Sequence, residues 1–309
     1  MTEHELLEAV GGVDEELVER CRRKSVRVRS WGRRCVAAAA ACAVLIGSTL
    51  ALSPGLREQL AAALGGFGPY MQEIDEAVCV ENGIEIKVIS AVADSYMVRV
   101  YAEARDLEGD RLTADMGVFG FIDRKAEEEP EGGRGATGSA KCVGFDEETG
   151  TALLELDTWG DFSSDLGEMK LLIYSLDVPG NRIVGEHSWK IDLNVEVLSR
   201  REIALNGTVD GAELLEADIS ALGAMLVTKG AACLGARYVY SVYFKDGTVV
   251  HPYHSGGMGI GEDGPSYVYL KFDDPVDPDQ VTGISVHYWM VPFDGEAAGE
   301  GYWLSELPE

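Results

Sequence analysis

Trp189-Lys190-Ile191-Asp192-Leu193-Asn194-Val195-Glu196-Val197 decides the fold class. Five apolar side chains alternate with four polar ones. Successive side chains of a strand point to opposite faces, so this period of two buries Trp189, Ile191, Leu193, Val195 and Val197 and leaves Lys190, Asp192, Asn194 and Glu196 in water. The alternation recurs at Ile84, Ile86 and Val88, at Val98 and Val100, and at Tyr238, Tyr240, Val242 and Phe244. Val268, Leu270 and Phe272, then Ile284, Val286, Tyr288 and Met290, repeat it. The Tyr238 strand runs into Lys245-Asp246-Gly247-Thr248, where Asp-Gly predicts a type I′ hairpin turn. Many short strands with few helical windows predict a mainly β protein of antiparallel sandwiches, not a parallel α/β sheet. A chain of 309 residues accommodates two. The polar break Ser199-Arg200-Arg201-Glu202 divides them into residues 70–198 and 199–309. Arg124 to Lys141, charged and Gly-rich, reads as a loop.

Upstream the period is different and the charge is partitioned. Residues 1–19 carry seven acids and no Lys or Arg, whereas Arg20, Arg22, Arg23, Lys24, Arg27, Arg29, Arg33 and Arg34 form a block with no acid. Then Cys35 to Leu52 runs without a charge, and as a helix it spans about 27 Å against a hydrocarbon core of roughly 30 Å. Arg33 and Arg34 are placed to snorkel across the shortfall. A buried Ala-rich helix in a soluble protein has no reason for eight cations at one end. A cleaved signal peptide shares the basic-then-apolar pattern, but here 34 residues precede the apolar run and Pro54 follows Ser53, which disfavours cleavage there. The reading is an uncleaved transmembrane helix over 35–53 in membrane lipid. The eight cations keep the N-terminus cytoplasmic and send the C-terminal mass to the extracellular side. Pro54 to Leu64, closed by Gly65-Gly66, predicts a short helix, with 54–69 as a helical stalk.

Inside, the 1–34 peptide reads as two short helices broken at Gly11-Gly12. Leu6, Leu7 and Val10 line one apolar face, and Val13, Leu17 and Val18 another. So short a segment buries no core of its own, so it is either a solvated tail or a docking peptide that folds on a cytoplasmic partner. The formal charge of −27, from 26 basic and 53 acidic residues, speaks against nucleic acid as a partner.

Patterns that would carry chemistry are sparse. His251-Pro-Tyr-His254 spaces two imidazoles in an extended, Pro-containing segment with no matching Cys or acid, and His187 and His287 stand alone. Gly256 to Gly261 lacks the helix and Gly-Lys-Ser/Thr of a phosphate loop. Asp273, Asp274, Asp277 and Asp279, and Asp106, Glu108 and Asp110, offer clustered oxygens to calcium without the twelve-residue loop pattern. No residues recommend an enzyme, a cofactor or a metal. Cys79, Cys142 and Cys233 lie in the outer region and allow at most one internal disulfide, or free buried thiols.

Several stretches together resemble one family. They are Glu5-Leu-Leu-Glu-Ala-Val-Gly-Gly-Val-Asp-Glu-Glu-Leu-Val18, the basic run and anchor, Leu64-Gly-Gly-Phe-Gly-Pro-Tyr-Met-Gln72, Gly83-Ile-Glu-Ile-Lys-Val-Ile-Ser-Ala91 and Val100-Tyr-Ala-Glu-Ala-Arg-Asp-Leu-Glu-Gly-Asp-Arg-Leu112. The family is domain-of-unknown-function family 4179, membrane proteins of Gram-positive bacteria described as anti-sigma-factor-like. The region from Trp189, with Asp218-Ile-Ser-Ala-Leu-Gly223, resembles the immunoglobulin-like domain that follows it. The resemblance implies immunoglobulin-like sandwiches that sense or bind an extracytoplasmic ligand, and a cytoplasmic peptide that holds a sigma factor. It implies no catalytic residues. His4 and Cys21 alone fall short of the zinc pattern of many anti-sigma domains.

Overall fold

The computed structural model describes residues 52–74, 77–124, 137–160, 169–230, 238–259, 264–294 and 297–305. Among them the chain builds helix α1 (Pro54–Leu64), a 3₁₀ turn (Gly65–Tyr70) and two antiparallel sheets. The first sheet holds β1 (Gln72–Glu73), β2 (Val78–Glu81), β3 (Ile84–Ala93), β4 (Met97–Asp106), β5 (Gly117–Arg124), β6 (Thr137–Asp146), β7 (Thr151–Trp159), β8 (Met169–Val178) and β9 (Asn181–Leu193). The second holds β10 (Arg201–Val209), β11 (Ala212–Ile219), β12 (Gly223–Gly230), β13 (Tyr240–Phe244), β14 (Val249–Val250), β15 (Tyr253–Gly259), β16 (Pro265–Lys271), β17 (Val281–Val286), β18 (Trp289–Asp294), β19 (Ala297–Ala298) and β20 (Tyr302–Trp303). The protein is mainly β and antiparallel, an arrangement compatible with sandwiches.

In the first sheet the strands run β1-β3-β4-β7-β6-β5-β8-β9, with β2 paired to β3. The sheet folds over until the buried Trp189 indole of β9 donates to the Ile84 carbonyl at 2.9 Å. Alternation along the deciding stretch is realised: Trp189, Ile191, Leu193 and Val195 are buried, and Lys190, Asp192, Asn194 and Glu196 are exposed. The strand itself stops at Leu193, and Val197 bridges Ala93 in parallel while the Leu198 N–H donates to the Ala93 carbonyl.

In the second sheet the order is β14-β13-β17-β18-β19-β10-β11-β12-β16-β15, with β20 on β18. Its core joins Ile203, Leu226, Val242, Leu270, Phe272 and Ile284. The hairpin at Lys245 to Thr248 is present, but its turn is not type I′. Of the loop residues only Gly247 has positive φ, at +86°, and the Phe244 N–H donates to the Thr248 carbonyl, closing a longer loop with glycine at the left-handed position.

Helix α1 corrects the expected stalk. The Ser53 hydroxyl accepts from the Leu56 N–H, and Pro54 stands in the first turn, so its missing N–H costs nothing there. One face, Leu56, Leu60 and Leu64, is buried against Ile89, Val92, Tyr101 and Leu153 of the first sheet. β3 supplies that second apolar face because a bulge between Val88 and Ser90 breaks its alternation. A Cβ at Gly144 would collide with Gln59, so glycine lets α1 approach β6. Leu222, from the turn after β11, completes the same cluster, which therefore spans both sheets. A free stalk would leave this leucine face in water, and burying it is favourable. Leu52 belongs to the cluster and Ser53 is the helix cap, so the last two residues of the expected 35–53 span belong to the folded region. The remainder of that span lies outside the described residues, and no helix among them is long and apolar enough to cross a membrane.

Candidate functional site

Two short turns face one another where the sheets meet. Asp94-Ser95-Tyr96 joins β3 to β4, and Ser220-Ala221-Leu222 joins β11 to β12. Each is closed by its first side chain. Asp94 Oδ1 accepts from the N–H groups of Tyr96 and Met97 at 2.7 and 2.6 Å, and Ser220 Oγ accepts from those of Leu222 and Gly223 at 3.0 and 3.3 Å. Asp and Ser suit this position because their short side chains reach their own backbone a residue or two on. The turns are then locked together, the Ser220 hydroxyl donating to Asp94 Oδ2.

Two further links cross the joint. The Tyr96 hydroxyl donates to Asp218 Oδ2 at 2.5 Å and accepts from Arg200 Nη1 at 2.7 Å, with the guanidinium 5.4 Å from the ring centre. Asp157 of β7 is held from both sides: by Arg99 of β4 at 2.6 Å and by Lys271 of β16 at 2.7 Å. The Lys271 ammonium also lies 5.4 Å from the Trp159 ring centre, and Arg99 stacks over Phe67. Beside them the Tyr101 hydroxyl lies 2.9 Å from both the Ala63 carbonyl of α1 and Glu155 Oε2.

Electrostatics differs across this network. Burial pushes the Asp94 carboxyl above its ordinary range, against the pull of Ser220 and the turn N–H groups. It pushes Asp218 up as well, with Tyr96 and Arg200 offsetting part of the effect. Asp157 goes the other way: burial opposes its charge, but Arg99 and Lys271 outweigh burial and hold it below the usual carboxylate range. A cavity of about 10 Å³ lies among Asp94, Tyr96, Trp159, Arg200, Asp218 and Tyr269, room for one water. Asp218 Oδ1 and the Trp159 indole N–H are buried there without a hydrogen-bond partner among the described residues. Asp94 and Ser220 are both committed to closing turns, so what this arrangement does is hold two sheets in register.

The residues singled out in the sequence lie elsewhere. The eight cations from Arg20 to Arg34, the apolar positions Leu6, Leu7, Val10, Val13, Leu17 and Val18, the His4 and Cys21 pair and Cys233 fall outside the described residues. Cys79 and Cys142 are free thiols packed at the edge of the first core, and burial raises the Cys142 thiol. The Asp106 carboxylate is no calcium ligand in waiting. Arg111 takes both its oxygens, the turn N–H groups of Glu108, Gly109 and Arg111 bond it as well, and together they hold it far below the usual range. Asp277 caps a 3₁₀ turn through the Asp279 N–H, and His251 Nδ1 lies 3.0 Å from Ser241 Oγ. Among the described residues no group of His, Cys, Asp and Glu is placed to hold a metal. Arg200, read in the sequence only as part of a polar break, and Asp94, Tyr96, Asp157, Ser220 and Lys271 are what the sequence reading missed. Asp94, Tyr96 and Ser220 carried a signal in turn chemistry after apolar strands; Asp157 and Lys271, inside strands, carried none.

No family model matches the chain, and no curated protein matches it. Among solved structures it is similar to the conserved domain protein from Bacillus anthracis, at 15% identity and a TM-score of 0.51, over 72% of this chain and 77% of that one. At that identity the likeness is one of fold. It covers more of the chain than either sheet contains, so it runs across the joint.

Proposed function

We propose that the chain is a non-enzymatic, single-pass membrane regulator of anti-sigma-factor-like type. In this reading two immunoglobulin-like sandwiches outside the membrane bind a ligand, and residues 1–34 hold a sigma factor in the cytoplasm. The observation that carries it is α1. The polypeptide passes from the apolar run directly into a helix whose leucine face is buried in the cluster shared by both sheets. In sequence the expected membrane segment runs straight into Leu52 and α1, and this reading has a change at the joint pass to the membrane segment through that helix. Leu52 and Ser53 are drawn into the folded region, which leaves 35–51 for the span, about 26 Å of helix.

Deleting residues 1–19 tests the signalling half in the intact cell. Altered transcription of a sigma-dependent reporter is the expected result, and an unchanged transcript profile would sink it. An unchanged profile would favour a surface-binding module whose tail sets topology only. The adjacent exposed aromatic side chains Tyr302 and Trp303 of β20 favour that second reading.

A further inference from the structure

A groove of about 710 Å³ opens on the second sheet, lined by Arg200, Arg201, Glu202, Lys245, Asp279 and Thr282 with Val281 and Phe293 at its base. Its volume is in the range of ligand sites, roughly 300–1,000 Å³. Its charge runs against the rest of the molecule. In a chain with twice as many acids as bases, three cations converge on it against two acids.

The cations are fixed in place. Arg201 Nη1 donates to the carbonyls of Pro278 and Val281 at 3.1 and 2.7 Å, with its guanidinium over the Phe293 ring. Lys245 Nζ donates to the Asp279 backbone carbonyl at 2.7 Å, a neutral acceptor that does not cancel the ammonium charge. Arg200 is shared with the joint: Nη1 is held by the Tyr96 hydroxyl and lies 3.5 Å from the buried Asp218 carboxylate, and Nη2 is turned to the Glu202 carboxylate, which is itself half in solvent.

We propose that this groove binds a phosphate group, with Lys245 Nζ and Arg200 Nη2, released to it by Glu202, as its donors, and with Arg201 contributing the charge of its guanidinium from the groove wall. A dianionic phosphate offers acceptor oxygens to both of these donors. It carries more charge than the single exposed carboxylate it displaces, and charge-assisted bonds of this kind are the strong ones. Tyr96 acts as a positioning residue. By holding Nη1 it aims Nη2 at the groove, so a closed joint and a filled groove favour each other, and the coupling is reciprocal. The site stands apart from membrane topology and from the N-terminal peptide, because binding is measured on the purified chain whether or not transcription responds.

The test is calorimetric titration of the full chain in neutral detergent, at an ionic strength fixed with chloride. Inorganic phosphate is one probe. Glycerol 3-phosphate is the other, and its ester separates a free anion from a phosphate carried on a larger molecule. Saturable one-to-one binding of either is expected. Lys245→Ala should weaken it about tenfold, the loss of one charge-assisted bond. Glu202→Gln should tighten it, and Tyr96→Phe, which changes no residue lining the groove but releases Arg200 Nη1, should weaken it. No binding of either probe overturns the site. So does binding that is indifferent to both Lys245→Ala and Glu202→Gln, because the anion would then sit elsewhere. Indifference to Tyr96→Phe overturns the link to the joint.

Discussion

Asp157 illustrates what the individual residue contributes. Its side chain is 2% exposed, and taking a carboxylate that far out of water is tolerated only because Arg99 and Lys271 approach from opposite sheets. The net worth of such a pair is small beside the cost of breaking it. Arg99→Ala leaves the carboxylate buried with Lys271 alone and also strips the cover from Phe67. The expected loss in urea denaturation at neutral pH is about 3 kcal/mol, the lower end for an orphaned buried charge because one partner remains. Replacing both members, Arg99→Met with Asp157→Leu, should cost less than the single change, since no charge is left stranded. A loss below about 1 kcal/mol for Arg99→Ala would mean that water reaches Asp157 and the network is a surface one.

At the scale of elements, α1 separates what a pattern specifies from what it leaves open. Its existence is written locally, by Ser53 as cap, Pro54 in the first turn and leucines four apart. Its docking is not, because a leucine stripe says that something is covered without saying by what. Leu60 is buried in the shared cluster while Arg57 of the same helix is exposed. Leu60→Ala should therefore cost about 2–5 kcal/mol and Arg57→Ala less than about 0.5 kcal/mol, read as shifts in denaturation midpoint. Equal, small effects would restore the free stalk. The strands were legible for the same local reason: Trp189 to Val195 alternate, and alternation is a property of the strand alone. The turns were half legible. Asn82-Gly83 and Asp210-Gly211 both take positive φ at both positions, as the type I′ turn requires, yet Asp246-Gly247 does so only at its glycine. The dipeptide permits the turn, and strand register decides whether it is used. The joint was not legible at all. Asp94 and Ser220 are ordinary turn residues, 126 positions apart, and only tertiary packing makes them partners.

For the whole molecule the question is how firmly the two sheets act as one, and pH probes it through the acids that bind them. Asp94 and Asp218 have carboxyls raised by burial, so the folded state holds their protons more tightly than the unfolded chain does. Their contribution to stability is complete below the ordinary carboxylate value, about 4, and is lost as pH rises through the raised values. Asp157 and Asp106 are depressed, so their contribution is present above about 4 and is lost only as pH falls below it. Between the ordinary carboxylate value and neutrality the depressed pair is silent, and the slope belongs to groups such as Asp94 and Asp218. Stability should therefore fall as pH rises through this window. Asp94→Asn keeps an acceptor for the Tyr96 and Met97 N–H groups but carries no titrating proton, so it should flatten that slope while leaving the fold intact. Because Asp94 and Asp218 lie on opposite sides of the joint, the pH-dependent loss should appear in both sheets together, read as coincident transitions in Trp fluorescence and far-UV circular dichroism across the titration. An Asp94→Asn slope equal to that of the native chain would place the titration elsewhere. Transitions that part company as pH rises would mean that the joint opens before either sheet does, which is the event a signalling role would exploit.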